Sequence, residues 1–256
     1  MLCIAHRGAS GHEPENTLRA MRRAVKLGAD MVELDVQNVE GEAVVIHDHR
    51  LDRTTNGRGY VEESSLAYVR SLRAGKTERL PLLREVLDTV DRRAAVNIEI
   101  KTPAATMLVG AIVNEYLGSR GWRPTDFLIS SFDFRQLRLI KRLVPRVRTG
   151  ALLAGVPLSF SDLRKRLGAW SVNACVEFVD REFVRNAHRA GLKVLVWTVN
   201  YPEDIARLRT WGVDGVITDF PERVGGGEVV RIAEWGVRSE RREPPAVRGR
   251  ESTSGS

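Results

Sequence analysis

Glu33 and Asp35 stand two residues apart in the apolar run Met31-Val32-Glu33-Leu34-Asp35-Val36. On a β-strand that spacing puts both carboxylates on one face. The run Val96-Asn97-Ile98-Glu99-Ile100-Lys101 repeats the pattern, with Asn97, Glu99 and Lys101 sharing a face. Carboxylates that face an interior are costly unless they are paired or bound to a metal. If neighbouring strands bring Glu33, Asp35 and Glu99 together, three hard oxygen donors suit Mg²⁺ or Ca²⁺ far better than Zn²⁺. The competing reading pairs them with Arg7 and Lys101 as a structural ion cluster. His6 ends one apolar run and His47 another. An imidazole near neutrality both takes and gives a proton, so these two are the candidate acid and base. His12, His49 and His188 lack such company, and His188 falls in a helical stretch where a structural or exposed role is expected.

What must position these residues is an alternation of short β-branched runs with amphipathic segments. Strands are expected over 2–6, 31–37, 43–48, 94–101, 127–132, 148–154, 172–178, 193–199 and 213–218. Helical periodicity fits 17–27, 82–91, 105–118, 134–143, 180–190 and 202–211, with Gly28 as a stop signal after the first. This βα order predicts a parallel sheet covered by helices. Only the short segment Asn38 to Glu42 separates 31–37 from 43–48, too little for a parallel crossover, so 43–48 must be a hairpin excursion. Eight βα units then remain, the count of an α/β TIM (β/α)8 barrel with an extra β-hairpin strand after strand two. A doubly wound open sheet is the alternative, but the glycine fingerprint it would often carry after its first strand is missing. In a barrel the site lies at the C-terminal strand ends. Those ends here read His6-Arg7-Gly8, His47-Asp48, Ser130-Ser131-Phe132-Asp133, Trp197-Thr198-Val199-Asn200 and Thr218-Asp219.

The 256 residues are 43% hydrophobic and 29% charged, which excludes collagen-like and wholly disordered classes. No apolar run approaches the roughly 20 residues of a spanning helix, so no stable membrane insertion is expected. The first residues lack the apolar core of a signal peptide, and Cys3 and Cys175 lie in apolar runs. Buried free thiols and a cytoplasmic location are therefore expected. The net charge of +7 favours anionic ligands in general. Its arginines are scattered among acidic residues rather than massed with aromatics, so nucleic acid is not an expected partner. Residues 1–222 are expected to form the catalytic domain. Residues 223–256 are expected to be an extension, with one short amphipathic turn (Val229, Val230, Ile232, Trp235) before a disordered polar tail.

Over residues 4–222 the chain resembles the glycerophosphodiester phosphodiesterases of the phospholipase-C-like barrel superfamily. The resemblance runs through His6-Arg7-Gly8, Pro14-Glu15-Asn16-Thr17, Glu33-Leu34-Asp35, Val45-Ile46-His47-Asp48, Arg53-Thr54-Thr55 with Gly57, and Pro81 with Leu83 and Glu85. It continues through Asn97 to Lys101, Ser130 to Asp133, Val196 to Asn200 and Gly212 to Asp219. It implies that Glu33, Asp35 and Glu99 hold one divalent cation and that His6 and His47 act as general acid and base. By the same resemblance Arg7 and Lys101 bind phosphate, Trp197 lines the substrate pocket, and Glu15 and Asn16 support the cation or the first histidine. The implied reaction is hydrolysis of a small glycerophosphodiester to glycerol 3-phosphate and an alcohol. The segment Gln37 to Glu42 is one residue shorter than the family's usual turn, which predicts a shift of the loop carrying His47. Residues Asp48 to Pro81, where larger relatives carry an inserted domain, are few, so the site should be open on that side. Two rivals stand beside this reading: a lysophospholipase-D-like hydrolase on the same barrel, and a catalytically silent phosphate-binding barrel. The first needs an apolar groove, and no aromatic or leucine-rich stretch after residue 48 announces one. The oligomeric state has no signature in the sequence.

Overall fold

The computed structural model describes residues 1–225. Most of the expected 223–256 extension, its apolar stripe included, lies outside the described residues. Eight parallel strands close into a barrel: β1 (Leu2–Ala5), β2 (Met31–Val39), β4 (Ala95–Ile100), β5 (Phe127–Ser131), β6 (Arg148–Leu153), β7 (Ser171–Cys175), β8 (Lys193–Trp197) and β9 (Gly215–Thr218). Closure is made by β1, which pairs with β9 on one side and β2 on the other. The extra strand β3 (Glu42–Val45) pairs antiparallel with β2 and lies outside the ring, as the short connection required. Glu40 and Gly41 form its two-residue turn, and both have positive φ, the geometry of a type I′ hairpin.

Helices α1 (Leu18–Lys26), α3 (Leu83–Val90), α4 (Ala105–Ser119), α5 (Phe134–Leu143), α7 (Arg181–Arg189) and α8 (Pro202–Thr210) fall within one or two residues of their expected spans. Two further helices, α2 (Leu66–Ser71) and α6 (Phe160–Lys165), were not foreseen. Each has six residues, too short to establish a helical period in sequence.

Residue parity along the strands divides the interior into two. Outward-facing Val32, Leu34, Val36, Val96 and Ile98 pack against the helices in the main core. Inward-facing Leu2, Ile4, Met31, Ala95, Leu128, Leu195 and Ile217 plug the barrel itself. The same inward parity continues upward to His6, Glu33, Asp35, Asn97 and Glu99, so the plug is the floor on which the polar layer stands. Residues 46–80 pack with Val39 and Val44 of the hairpin into a second small core, around Ile46, Leu51, Val61, Val69, Leu72 and Leu80.

Candidate active site

The acidic cluster is a consequence of register. Asp35 on β2 lies opposite Glu99 on β4, and Glu33 lies opposite Asn97. Glu33, Asp35 and Glu99 each offer a carboxylate oxygen, and all three atoms lie within 4.8 Å of one another. Two are almost fully buried, Glu33 at 4% and Asp35 at 1% exposure. Burial, reinforced by the neighbouring carboxylates, pushes Glu33 well above the ordinary glutamate range and raises Glu99 as well. Lys101 Nζ lies 2.7 Å from Glu99 Oε1, and Arg7 Nε lies 3.4 Å from Asp35 Oδ2. The ion pairs of the structural-cluster reading are thus present, yet two cations face three carboxylates. A buried excess of negative charge with convergent hard oxygens fits a divalent cation of the Mg²⁺ or Ca²⁺ kind.

Local backbone form sets the cluster in place. Arg7 has φ +53° and its N–H donates to Glu33 Oε2 at 2.9 Å. Gly8 follows at φ +81°, and a Cβ there would come within 2.6 Å of the Ala20 backbone, so only glycine lets this turn sit on α1. Asn16, also at positive φ, donates from Nδ2 to Asp35 Oδ2 at 2.9 Å and accepts the Asp35 N–H. Its neighbour Thr17 caps α1 by accepting the Ala20 N–H, which anchors the segment.

Both histidines form a dyad with an aspartate. His6 Nδ1 is 2.7 Å from Asp219 Oδ1, and Asp219 also accepts from Ser10 Oγ and Asn200 Nδ2. Burial would raise the Asp219 carboxyl, but the hydrogen bonds from His6, Ser10 and Asn200 outweigh it and hold it at about 2. His47 Nδ1 is 2.6 Å from Asp48 Oδ1, and Arg53 donates to Asp48 in turn, holding that carboxyl well below the ordinary range. An ionised carboxylate only accepts, so Nδ1 carries the hydrogen in each ring and Nε2 is left for the cavity. Burial draws the pKa of His47 below its ordinary value, against the opposing pull of Asp35 and Asp48.

Arg53 links Asp48, behind His47, to the Arg7 side of the acidic cluster. It also donates to Glu15, which accepts from Arg7, so a chain of charges runs Asp48–Arg53–Glu15–Arg7–Asp35. Glu15 thus contacts Arg7 and Arg53, and Asn16 contacts Asp35. The shortened hairpin does not carry His47 away from the site. Gln37 Nε2 donates to the carbonyls of Ile46, His47 and Asp48, tying that loop to β2. Asp219, Asn200, Ser10 and Arg53 had no role assigned from sequence, although Asp219, Asn200 and Arg53 lie in motif runs. His12 and His188, thought to lack carboxylate company, do have it: His12 meets Glu222 at 3.0 Å and His188 meets Asp214 at 2.7 Å. Neither lines the cavity described next.

A cavity of about 290 Å³ opens over the cluster. His6, Arg7, Glu33, His47, Glu99 and Lys101 form its charged side, and Phe132, Leu152, Trp197 and Ile217 its apolar side. Trp197 donates from Nε1 to the Asn173 carbonyl and meets Phe132 edge to face at 5.8 Å. The apolar character extends outward. Phe132 after β5, Val156 and Leu158 after β6, Phe178 after β7 and Tyr201 after β8 are all exposed, Leu158 more fully than in an extended chain at 109%. Burying one such side chain is worth about 1.5–3 kcal/mol, so five left outside on one rim are not explained by folding. No aromatic or leucine-rich stretch follows residue 48, as read from the sequence, but the fold sets single apolar residues from four loops at this end of the barrel. The thiols divide as well, since Cys3 is buried and Cys175 only half-buried.

Residues 6–223 match the glycerophosphoryl diester phosphodiesterase family. The glycerophosphodiester phosphodiesterase of Caldanaerobacter subterraneus is 38% identical over 234 residues, covering 86% of this chain and 95% of that protein. One from Bacillus subtilis is 34% identical, covering 87% and 84% respectively. Among solved structures, a phosphodiesterase of Oleispira antarctica in complex with the product sn-glycerol-3-phosphate superposes with a TM-score of 0.80 at 31% identity. That match covers 86% of this chain and 94% of the other.

Proposed function

The chain belongs to the glycerophosphoryl diester phosphodiesterase family, and from that premise we propose that it hydrolyses glycerophosphodiesters to glycerol 3-phosphate and an alcohol, with residues 1–222 as the catalytic unit. The observation that carries this reading is the meeting of two aspartate-held histidines with the buried Glu33–Asp35–Glu99 cluster in one cavity.

Glu33, Asp35 and Glu99 would hold the cation. Mg²⁺ or Ca²⁺ bound there supplies Lewis-acid polarisation of a phosphoryl oxygen and offsets its charge. Arg7 and Lys101 set fixed positive charge beside the same oxygens, the preorganised electrostatic contribution that is commonly the largest in such reactions. The carboxylates keep both side chains charged: burial alone would lower each, and the acidic neighbours reverse it. One histidine accepts at Nε2 the proton of the attacking hydroxyl, from water or from the substrate's own glycerol. The other, protonated at Nε2, delivers its proton to the departing alkoxide. Asp219 and Asp48 fix the rings in the tautomer that exposes Nε2 and stabilise the imidazolium each must become. Trp197 and Phe132 give the substrate an apolar wall to lie against.

The test is release of glycerol 3-phosphate from glycerophosphocholine by the purified chain. Turnover stopped by a chelator and restored by Mg²⁺ or Ca²⁺ is expected, with Glu99→Gln needing more cation for half-maximal rate. Undiminished turnover in chelator would overturn the cation assignment.

A further inference from the structure

One guanidinium contributed from outside the barrel holds two carboxylates of the site at once. Arg53 donates to Asp48 from Nε at 2.6 Å and from Nη2 at 2.9 Å. It donates to Glu15 from Nη1 at 2.7 Å and from Nη2 at 2.8 Å. Two parallel forks therefore share Nη2, an arrangement that the planar guanidinium permits and the single nitrogen of a lysine does not. Each carboxylate has a second partner, and both of those partners line the cavity. Asp48 Oδ1 lies 2.6 Å from His47 Nδ1, and Glu15 Oε1 accepts from Arg7 Nη1 at 2.7 Å.

The segment that presents Arg53 is pinned on either side of it. Leu51, two residues earlier, is fully buried in the second small core. Thr55, two residues later, donates its N–H and its Oγ1 to the Leu51 carbonyl, which closes a turn with Arg53 at its middle. Asn56 ties that turn to the chain after α2, donating its N–H to the Arg73 carbonyl and accepting the Arg73 N–H at Oδ1. The same stretch then touches the residue before Glu15. Gly75 has φ +58°, and a Cβ there would come within 2.6 Å of Pro14 Cγ, so glycine permits the approach. Pro14-Glu15 is thus gripped at two points, by Gly75 and by Arg53.

We propose that Arg53 is a positioning residue of the phosphodiester reaction, aiming His47 through Asp48 and keeping Arg7 available to phosphate by sharing the charge of Glu15. The inference rests on the phosphodiesterase reading above and adds a residue to its machinery. Glu15 Oε2 faces Arg53 and Oε1 is divided between Arg53 and Arg7. Without the guanidinium the Glu15 charge falls on Arg7 and draws it from the substrate. Asp48 and Glu15, which now meet at one nitrogen, then repel each other, and the ring that Asp48 holds turns with it.

The experiment measures kcat, KM and melting temperature for glycerophosphocholine turnover by the native chain, Arg53→Met, Arg53→Lys and the double variant Arg53→Met/Glu15→Gln. Misplacing a reacting group by about 1 Å costs on the order of 10²-fold, so Arg53→Met should lower kcat by that order and also raise KM. Its melting temperature should stay near native, because the Arg53 side chain is 50% exposed and exposed ion pairs add little stability. Arg53→Lys should resemble Arg53→Met more than the native chain. Adding Glu15→Gln removes the unshared charge on Arg7, so KM should return toward the native value while the kcat loss, which runs through Asp48, remains. An Arg53→Met that leaves either constant unaltered overturns the inference, as does an Arg53→Lys of native rate or a double variant that keeps the raised KM. Losses matched by a fallen melting temperature in both single variants would make Arg53 structural only, and the inference falls likewise. Failure of the native chain to turn over glycerophosphocholine would strike the phosphodiesterase reading instead.

Discussion

Strands β1, β2 and β4 carry charge to the barrel mouth, where His6, Glu33, Asp35, Glu99 and Lys101 converge, whereas the loops after β5 to β8 present Phe132, Val156, Leu158, Phe178 and Tyr201. Both halves stand at the same end of the barrel, above the apolar plug. The charged half is buried and cross-braced: each of its side chains has a partner that fixes it, from Asp219 behind His6 to Arg53 behind Asp48. The apolar half is exposed, and its outer side chains are held only by the loops that carry them. Chemistry demands preorganised groups excluded from water, while adaptable apolar contact asks only for surface near the reacting centre.

Substitutions at the two histidines should separate the halves most sharply. His6→Ala or His47→Ala is expected to cost about 10²–10⁴-fold in kcat, and by the same factor for every substrate, because the loss lies in proton transfer. A substrate-dependent loss would break the division of labour. Next in size is Asp219→Asn, for which at least about 10²-fold is expected, since an asparagine can hold the ring in the wrong tautomer. Its stability readout has a definite sign. The Asp219 carboxyl is depressed to about 2 in the fold, so the stabilisation it brings is complete above its unfolded value of about 3.9 and fades as pH falls toward 2. The melting-temperature gap between the native chain and Asp219→Asn should therefore be widest above that range and close on acidification.

A smaller effect concerns pH. Burial lowers His47, so one limb of the kcat/KM profile should fall below the ordinary histidine value of 6.5. If it is the acidic limb His47 is the base, and if the alkaline limb it is the acid; a profile with both limbs above 6.5 would contradict the site as described. The smallest concerns the thiols. Burial, helped by Asp30 and Glu222, pushes Cys3 up to about 12, while Cys175 is half-buried at the end of β7. A thiol reagent at mildly alkaline pH should label Cys175 in the folded chain and Cys3 only after denaturation.

The same contrast explains what the sequence made legible. Glu33 and Asp35 share one strand at spacing two, and Asn97, Glu99 and Lys101 repeat it, so their common face follows from strand geometry alone. The hairpin excursion followed from a connection too short for a crossover. The rim residues stand roughly twenty positions apart, one or two per loop, and each alone is an ordinary surface hydrophobe. Only the parallel pairing of β5 to β8 sets their loops side by side. Arg53 was hidden for a like reason: its partners Asp48 and Glu15 meet it through the small core of residues 46–80, which no periodic pattern announces. The helices α2 and α6 were missed because six residues cannot display a period of 3.6.

The most direct test of the central claim is phosphorus NMR of glycerophosphocholine incubated with the purified chain and Mg²⁺ or Ca²⁺. The account predicts that the diester resonance gives way to that of glycerol 3-phosphate, with choline released, and that His47→Ala leaves the diester intact. Phosphocholine and glycerol as products, or an untouched diester with the folded, cation-supplied chain, would contradict it.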